Sequence, residues 1–92
     1  MSITVKIPTQ LRSLTGGAAE VDASHGSVGE ILAELERRFP GFGPRVLDEA
    51  GSLRRFVNVY VGEDDVRFLE GLKTQVADGG GISIIPAVAG GL

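Results

Sequence analysis

Length, composition and charge indicate one small acidic domain with an aliphatic core. The chain has 92 residues, of which 42% are hydrophobic and only 5% aromatic. Its net charge of −3 argues against nucleic acid as the main partner. Because the sequence contains no cysteine, disulfides, thiolate metal sites, iron–sulfur clusters and thiol catalysis are excluded.

The sequence shows no mark of membrane insertion or export. No apolar run approaches the length of a membrane span, and the first residues lack a basic region followed by an apolar stretch. Together with the absence of cysteine, this leads us to expect a cytoplasmic protein.

The first third of the chain predicts two strands. Apolar and polar residues alternate over Ile3–Ile7, which is typical of a half-buried strand, and Pro8 ends it. A polar loop through residues 15–17 then leads to a second strand at 19–23, in which Val21 points inward.

A capping box predicts the start of the main helix. Ser27 is the N-cap and Glu30 lies three residues later. An apolar stripe at helical spacing follows, formed by Val28, Ile31, Leu32, Leu35 and Phe39. Pro40 and Gly41 end this helix of about three turns. Residues 44–47 predict one further turn, because proline suits a first helical position.

The second half predicts three more strands. The strongest covers 56–61, where Val57, Val59 and Val61 share one face and Phe56, Asn58 and Tyr60 share the other. After a turn at 62–65 we expect a return strand at 66–68, and then a helical turn around Leu72 and Val76. A glycine-rich turn at 78–81 leads into the last strand, 82–85.

This order of elements predicts a two-layer α+β domain. A mixed sheet of four or five strands packs on one main helix, and the first and last strands are expected to be neighbours. We assign residues 1–86 to the domain and residues 87–92 to a C-terminal tail.

The sequence offers little that could catalyse a reaction, so we expect no enzyme. His25 is the only histidine and is interpreted as a solvated loop residue. The acidic residues 63–65 lack the spacing of a calcium loop and indicate a hairpin turn. Residues 79–81 precede a strand, so they indicate a turn and not a phosphate-binding loop. We therefore predict neither a bound metal nor a bound cofactor.

Exposed apolar residues and the tail are the candidates for function. Ile85 shares a strand face with Ser83, and with Phe56 and Tyr60 it would form an apolar docking patch. The alternative is that these are isolated exposed side chains, which are common. The tail, ending in Gly90, Gly91 and Leu92, could be threaded into a narrow enzyme cleft, or could be only a frayed terminus.

Several strings resemble the ubiquitin-like β-grasp sulfur carriers of the MoaD/ThiS type. The similarity covers nearly the whole chain and looks closest to the branch that serves cysteine biosynthesis. The strings that carry it include Ile3–Ile7 with Leu11-Arg12, residues 55–61 and 65–68, Asp78-Gly79, and residues 84–91.

The resemblance implies a reactive terminus on Gly91. In that family an ATP-using enzyme of the ubiquitin-activating type adenylates the terminal glycine, and a sulfur donor converts it to a thiocarboxylate. In the cysteine branch the sulfur reaches a pyridoxal-phosphate-dependent cysteine synthase, and a zinc metalloprotease releases the product. Ile85 matches an interface position, so we assign the partner interface to Ile85, Phe56, Tyr60, Pro86 and Val88.

Leu92 departs from the family pattern, because its backbone nitrogen blocks the Gly91 carboxyl group. We predict that the chain is a precursor from which a metalloprotease removes Leu92; the alternative is a residue added in cloning. Other functions open to the family are a ubiquitin-like protein modifier and a sulfur carrier for molybdopterin, thiazole or natural-product biosynthesis.

Overall fold

The computed structural model describes residues 2–24 and 26–86. The strands are β1 Ser2–Lys6, β2 Glu20–Ser24, β3 Gly26–Ser27, β4 Val57–Val61, β5 Asp64–Asp65, β6 Gln75–Val76 and β7 Gly81–Pro86. The α-helices are α1 Val28–Arg38 and α2 Phe42–Val46, and 3₁₀ segments cover Thr9–Thr15, Val66–Phe68 and Gly71–Lys73. Within these ranges the longest helix has 11 residues, which is too short to cross a bilayer.

One mixed sheet of five strands organises the fold, in the order β2-β1-β7-β4-β5. The first and last long strands, β1 and β7, pair in parallel at its centre, and all other pairs are antiparallel. The expected neighbourhood of first and last strands is thus confirmed. A second, two-stranded sheet pairs β3 with β6, which the sequence analysis did not predict.

Helix α1 covers one face of the large sheet and closes the core. The predicted capping box is present: the Ser27 hydroxyl accepts from the Glu30 N–H, and the Glu30 carboxylate accepts from the Ser27 N–H. The helix buries the first four residues of the predicted stripe, while Phe39 is partly buried. Val21 is also partly buried against this core, and Val57 and Val59 are buried in it.

Two predictions in the first half need correction. Residues 9–15 form a 3₁₀ helix and not an irregular loop, with Leu11 buried against the core. The further turn exists, but α2 begins at Phe42, so Pro44 is its third residue and not its first. Gly41 starts this turn at a φ of 99°, a conformation that favours glycine, and Phe42 is fully buried.

Two predictions in the second half also need correction. The return strand is β5, Asp64–Asp65, and residues 66–68 form a 3₁₀ turn in its place. The helical turn includes Leu72 but not Val76, because Val76 lies in β6 and pairs with Gly26. The two corrections have different causes. The first is local, because the Asp65 carboxylate caps the 3₁₀ segment that follows β5. The second is long-range, because a distant strand partner decides the conformation of a short segment whose own pattern is ambiguous.

Candidate functional site

Strands β4 and β7 present an apolar area on the face of the sheet opposite α1. Ile85 pairs with Asn58, and Tyr60 lies on the same face two residues further along β4. Phe56 directly precedes β4 and is 47% exposed, while Ile85 is 49% exposed. Tyr60 is partly buried. We call Phe56, Tyr60 and Ile85 the outer patch.

Ile85 is exposed because buried and outward-facing residues alternate along β7. Ile82 and Ile84 are only 1% and 2% exposed because they face the core, whereas Ser83 and Ile85 face outward. The strand therefore places a large aliphatic side chain in solvent one residue before Pro86, where the described chain ends. An exposed isoleucine beside an exposed phenylalanine is a surface that a partner can bury.

Basic side chains border the outer patch. The Arg55 guanidinium lies 5.9 Å from the centre of the Phe56 ring, a distance compatible with a cation–π contact. Arg67 donates from Nη1 to Asn58 Oδ1 at 2.7 Å, beside Ile85. On the other side of β7, Lys6 of β1 pairs with Ser83 in the parallel register. An acidic rim on the partner would complement these cations.

The structure brings together part of the predicted interface. Phe56 and Ile85 lie at the end of the β4–β7 pair where Pro86 pairs with Val57, and Tyr60 lies further along the ladder, opposite Ser83. Pro86 is partly buried. The remaining predicted residues, Val88, Gly90, Gly91 and Leu92, lie outside the described residues, as does His25. Their roles stay predictions.

The other candidate sites correspond to turns. Gly62 and Glu63 connect β4 to β5, with Gly62 at a φ of 63°. Gly79 has a φ of 86°, and the turn it belongs to leads into β7 and not into a helix. Among residues 2–24 and 26–86 no group of three carboxylate or imidazole side chains is placed to hold a metal ion.

Sequence reasoning missed Arg67, Phe68 and Leu69 as surface residues. Phe68 is 87% exposed and Leu69 45%, whereas Val66 is fully buried. A strand would have put Phe68 on the same face as Val66, but a 3₁₀ turn rotates it away. The available signal was Asp65, whose carboxylate accepts from the Arg67 N–H as a helix N-cap does.

Comparison with known proteins finds the same fold and a family match. Residues 5–91 match the model of the ThiS family. The sulfur carrier protein CysO of Mycobacterium tuberculosis is 48% identical over 93 residues, covering 99% of this chain and 100% of that protein. A chain in the crystal structure of the Amycolatopsis orientalis BexX/CysO complex is 48% identical, with a TM-score of 0.90 over 97% of this chain and 99% of that one.

A relative with a different name also matches. Small archaeal modifier protein 3 of Haloferax volcanii is 35% identical over 65 residues, covering 71% of this chain and 70% of that protein. The predicted ubiquitin-like β-grasp fold is confirmed by the likeness to the CysO structures, which match this chain with TM-scores of 0.90 and 0.89.

Proposed function

Since the chain belongs to the ThiS family of ubiquitin-like sulfur carriers, we propose that it carries sulfur as a thiocarboxylate on Gly91 for cysteine biosynthesis. The observation that carries this proposal is the full-length similarity to CysO, together with a family match that runs to Gly91 and leaves Leu92 outside it. The outer patch gives support, because it offers a docking surface at the end of β7 from which the tail continues.

The proposed chemistry takes place at the Gly91 carboxyl group. A carboxylate is a poor electrophile, so the partner first joins it to the α-phosphate of ATP and releases pyrophosphate. Sulfide, or a persulfide with a reductant, then attacks the acyl carbon and displaces AMP. The chain has no cysteine thiol to compete for this sulfur. In this scheme the carrier contributes an accessible acyl end and a recognition surface, while the partner supplies the catalytic groups.

Leu92 has to be removed before this chemistry can begin. While the Gly91 carbonyl carbon is bonded to the Leu92 nitrogen, no carboxylate is available for adenylation. We infer a zinc metalloprotease that hydrolyses this peptide bond. A pyridoxal-phosphate-dependent cysteine synthase is the proposed sulfur acceptor, and an enzyme of the ubiquitin-activating type is the proposed adenylating partner.

Intact-mass spectrometry tests the proposal. The chain ended at Gly91 is incubated with a ubiquitin-activating-type enzyme, ATP and sulfide, and its mass should rise by the exchange of one oxygen for one sulfur. The full chain should react only after a metalloprotease has removed Leu92. A chain lacking both Gly91 and Leu92 is the control and should remain unmodified. Thiocarboxylate formation on that control, or adenylation of a chain that retains Leu92, would contradict the proposal.

The match to a small archaeal modifier favours one second candidate, a ubiquitin-like protein modifier. This function needs the same activated Gly91 but joins it to lysine side chains of other proteins. Cell extracts that express a tagged chain should then show a ladder of isopeptide-linked conjugates. A mass shift on the free carrier without such a ladder would favour the sulfur carrier alone.

A further inference from the structure

Arg67 makes an unusual set of contacts for an exposed arginine. It lies in the 3₁₀ turn after β5, and its side chain reaches back to the start of β4. Nη1 donates to Asn58 Oδ1 at 2.7 Å, and Nη2 donates to the carbonyl oxygens of Arg54 and Val57, each at 2.8 Å. Exposed arginines usually keep the guanidinium in water, whereas this one is bonded to three acceptors on a five-residue segment.

These acceptors lie at the end of the sheet from which the tail continues. Asn58 pairs with Ile85 and Val57 pairs with Pro86, the last two pairs between β4 and β7. The Val57 N–H also donates to the Arg54 carbonyl at 3.0 Å, which closes a turn around Phe56. One guanidinium therefore links that turn to the outermost pairs of the ladder.

The position of Arg67 is itself held by its own segment. Its backbone N–H donates to Asp65 Oδ1 at 2.8 Å, and Asp65 pairs with Tyr60 across β4 and β5. Val66, which lies between Asp65 and Arg67 in the chain, is fully buried and anchors the turn to the core. The Asp65 hydrogen bond and the burial of Val66 therefore fix the backbone from which the Arg67 side chain extends.

We propose that Arg67 is a positioning residue of the partner-docking surface. It fixes the position of Phe56 relative to Ile85 and sets the direction in which the chain leaves β7 at Pro86. This inference rests on the proposed function, because it takes the outer patch to be the surface that meets the adenylating partner. A lysine cannot replace Arg67 here, since a single ammonium does not present the planar fork that reaches separate acceptors.

Amide hydrogen exchange of the full chain tests the positioning itself. In Arg67→Lys and Arg67→Met, amide exchange at residues 54–58 and at Ile85 should become several-fold faster, while the β1–β2 pairs keep wild-type rates. Arg37→Lys, an exposed substitution on α1, is the matched control and should change none of them. Unchanged rates at 54–58, or an equal acceleration across the whole sheet, would overturn the assignment.

Steady-state adenylation of chains that end at Gly91, monitored by pyrophosphate release, tests whether Arg67 contributes to docking on the adenylating partner. In both Arg67 variants the KM for the carrier should rise several-fold, with kcat within a factor of two of wild type. If the wild-type chain is adenylated and Arg67→Lys has the same KM, only the assignment of Arg67 falls. If the wild-type chain releases no pyrophosphate, the proposed function fails and the assignment falls with it.

Discussion

Ile84 and Ile85 are neighbours in sequence but lie on opposite faces of β7. Ile84 is 2% exposed and belongs to the core, whereas Ile85 is 49% exposed and belongs to the outer patch. An isoleucine side chain therefore stabilises the fold at position 84 and is available to a binding partner at position 85. This separation follows from the two-residue period of a strand.

Alanine substitution of each isoleucine should separate stability from docking. Ile84→Ala should lower the free energy of unfolding by about 2–5 kcal/mol, because it leaves a cavity in the core. Ile85→Ala should change it by no more than about 0.5 kcal/mol, since the side chain is half exposed. Urea unfolding measures both values.

Each variant is the control for the other in an adenylation assay with the activating partner. Ile85→Ala should raise the KM for the carrier although the protein stays folded. Equal losses of stability in the two variants, or a wild-type KM in Ile85→Ala, would contradict this division of roles.

Some single-residue features could be predicted from local spacing and some could not. Ser27 and Glu30 are three residues apart, and a capping box needs only that spacing, so it was predicted and is confirmed. Arg67 and Asn58 are nine residues apart in different elements, and their hydrogen bond depends on how β5 returns beside β4. No sequence pattern specifies that return path.

At the scale of elements, α1 both covers the core and protects the edge of the sheet. Strand β2 is an edge strand, and its outward backbone groups could pair with another chain. The Glu34 carboxylate accepts from the Ser24 N–H at 3.0 Å, and Arg38 donates to the Asp22 carbonyl oxygen. Glu34 and Arg38 also form an ion pair at 3.2 Å. Glu34 and Arg38 of α1 therefore form hydrogen bonds with backbone groups of the edge strand β2.

The hydrogen bond from Ser24, followed by contact with Arg38, lowers the pKa of Glu34 below its ordinary value of 4.5. Because the folded pKa lies below the unfolded one, ionised Glu34 stabilises the fold above about pH 4.5. That contribution is lost as the pH falls through the folded pKa. Ionisation of Glu30 also stabilises the fold, because the backbone N–H of Ser27 lowers the pKa of its carboxyl group.

Glu34→Gln should therefore reduce the pH dependence of stability. At neutral pH we expect a loss of a few tenths to about 1 kcal/mol in the free energy of unfolding, since the pair is partly exposed. The difference from wild type should shrink as the pH falls from neutral through the lowered folded pKa of Glu34, because the wild-type carboxyl group then becomes protonated. Urea unfolding across this range is the measurement, with Glu49→Gln as the matched loss of one loop charge. A gap that stays constant with pH would refute the role of ionised Glu34.

Elements with a long, regular pattern were predicted correctly, whereas short ones were either missed or given shifted bounds. The periodicity of α1, β4 and β7 predicted their types and their buried faces, because many residues repeat the same signal. Strands β3, β5 and β6 have two residues each, so no period can be read from them. Their conformation comes from a partner elsewhere in the chain.

For the whole molecule, the central parallel pair makes the two ends of the domain interdependent. β1 pairs with β2 on one side and with β7 on the other, and its residues Ile3 and Val5 are buried in the core. The last core residue within the described range is Ile84. The described core is therefore completed by the last long strand, β7, and the assignment of residues 87–92 to a tail outside the domain stays a prediction.

Two truncations should behave in opposite ways. A chain ended at Pro86 should unfold cooperatively, with a free energy within about 0.5 kcal/mol of the full chain, because it keeps the described core. A chain that lacks residues 1–6 should show no cooperative transition in urea, since it loses β1, one strand of the central parallel pair, together with the buried Ile3 and Val5. Cooperative unfolding of the second chain, or a large loss of stability in the first, would contradict this account.

The sequence by itself determined the α+β class, the main helix and the buried faces of the long strands, and the proposal that Gly91 is the reactive terminus comes from the sequence as well. These depend on local spacing, on residue chemistry and on family resemblance, which are all present along the chain. Only the tertiary structure decided the placement of Arg67 on Asn58 and the pairing of β3 with β6. The physical reason is that these features depend on contacts between distant segments, and such contacts exist only once the sheet has assembled.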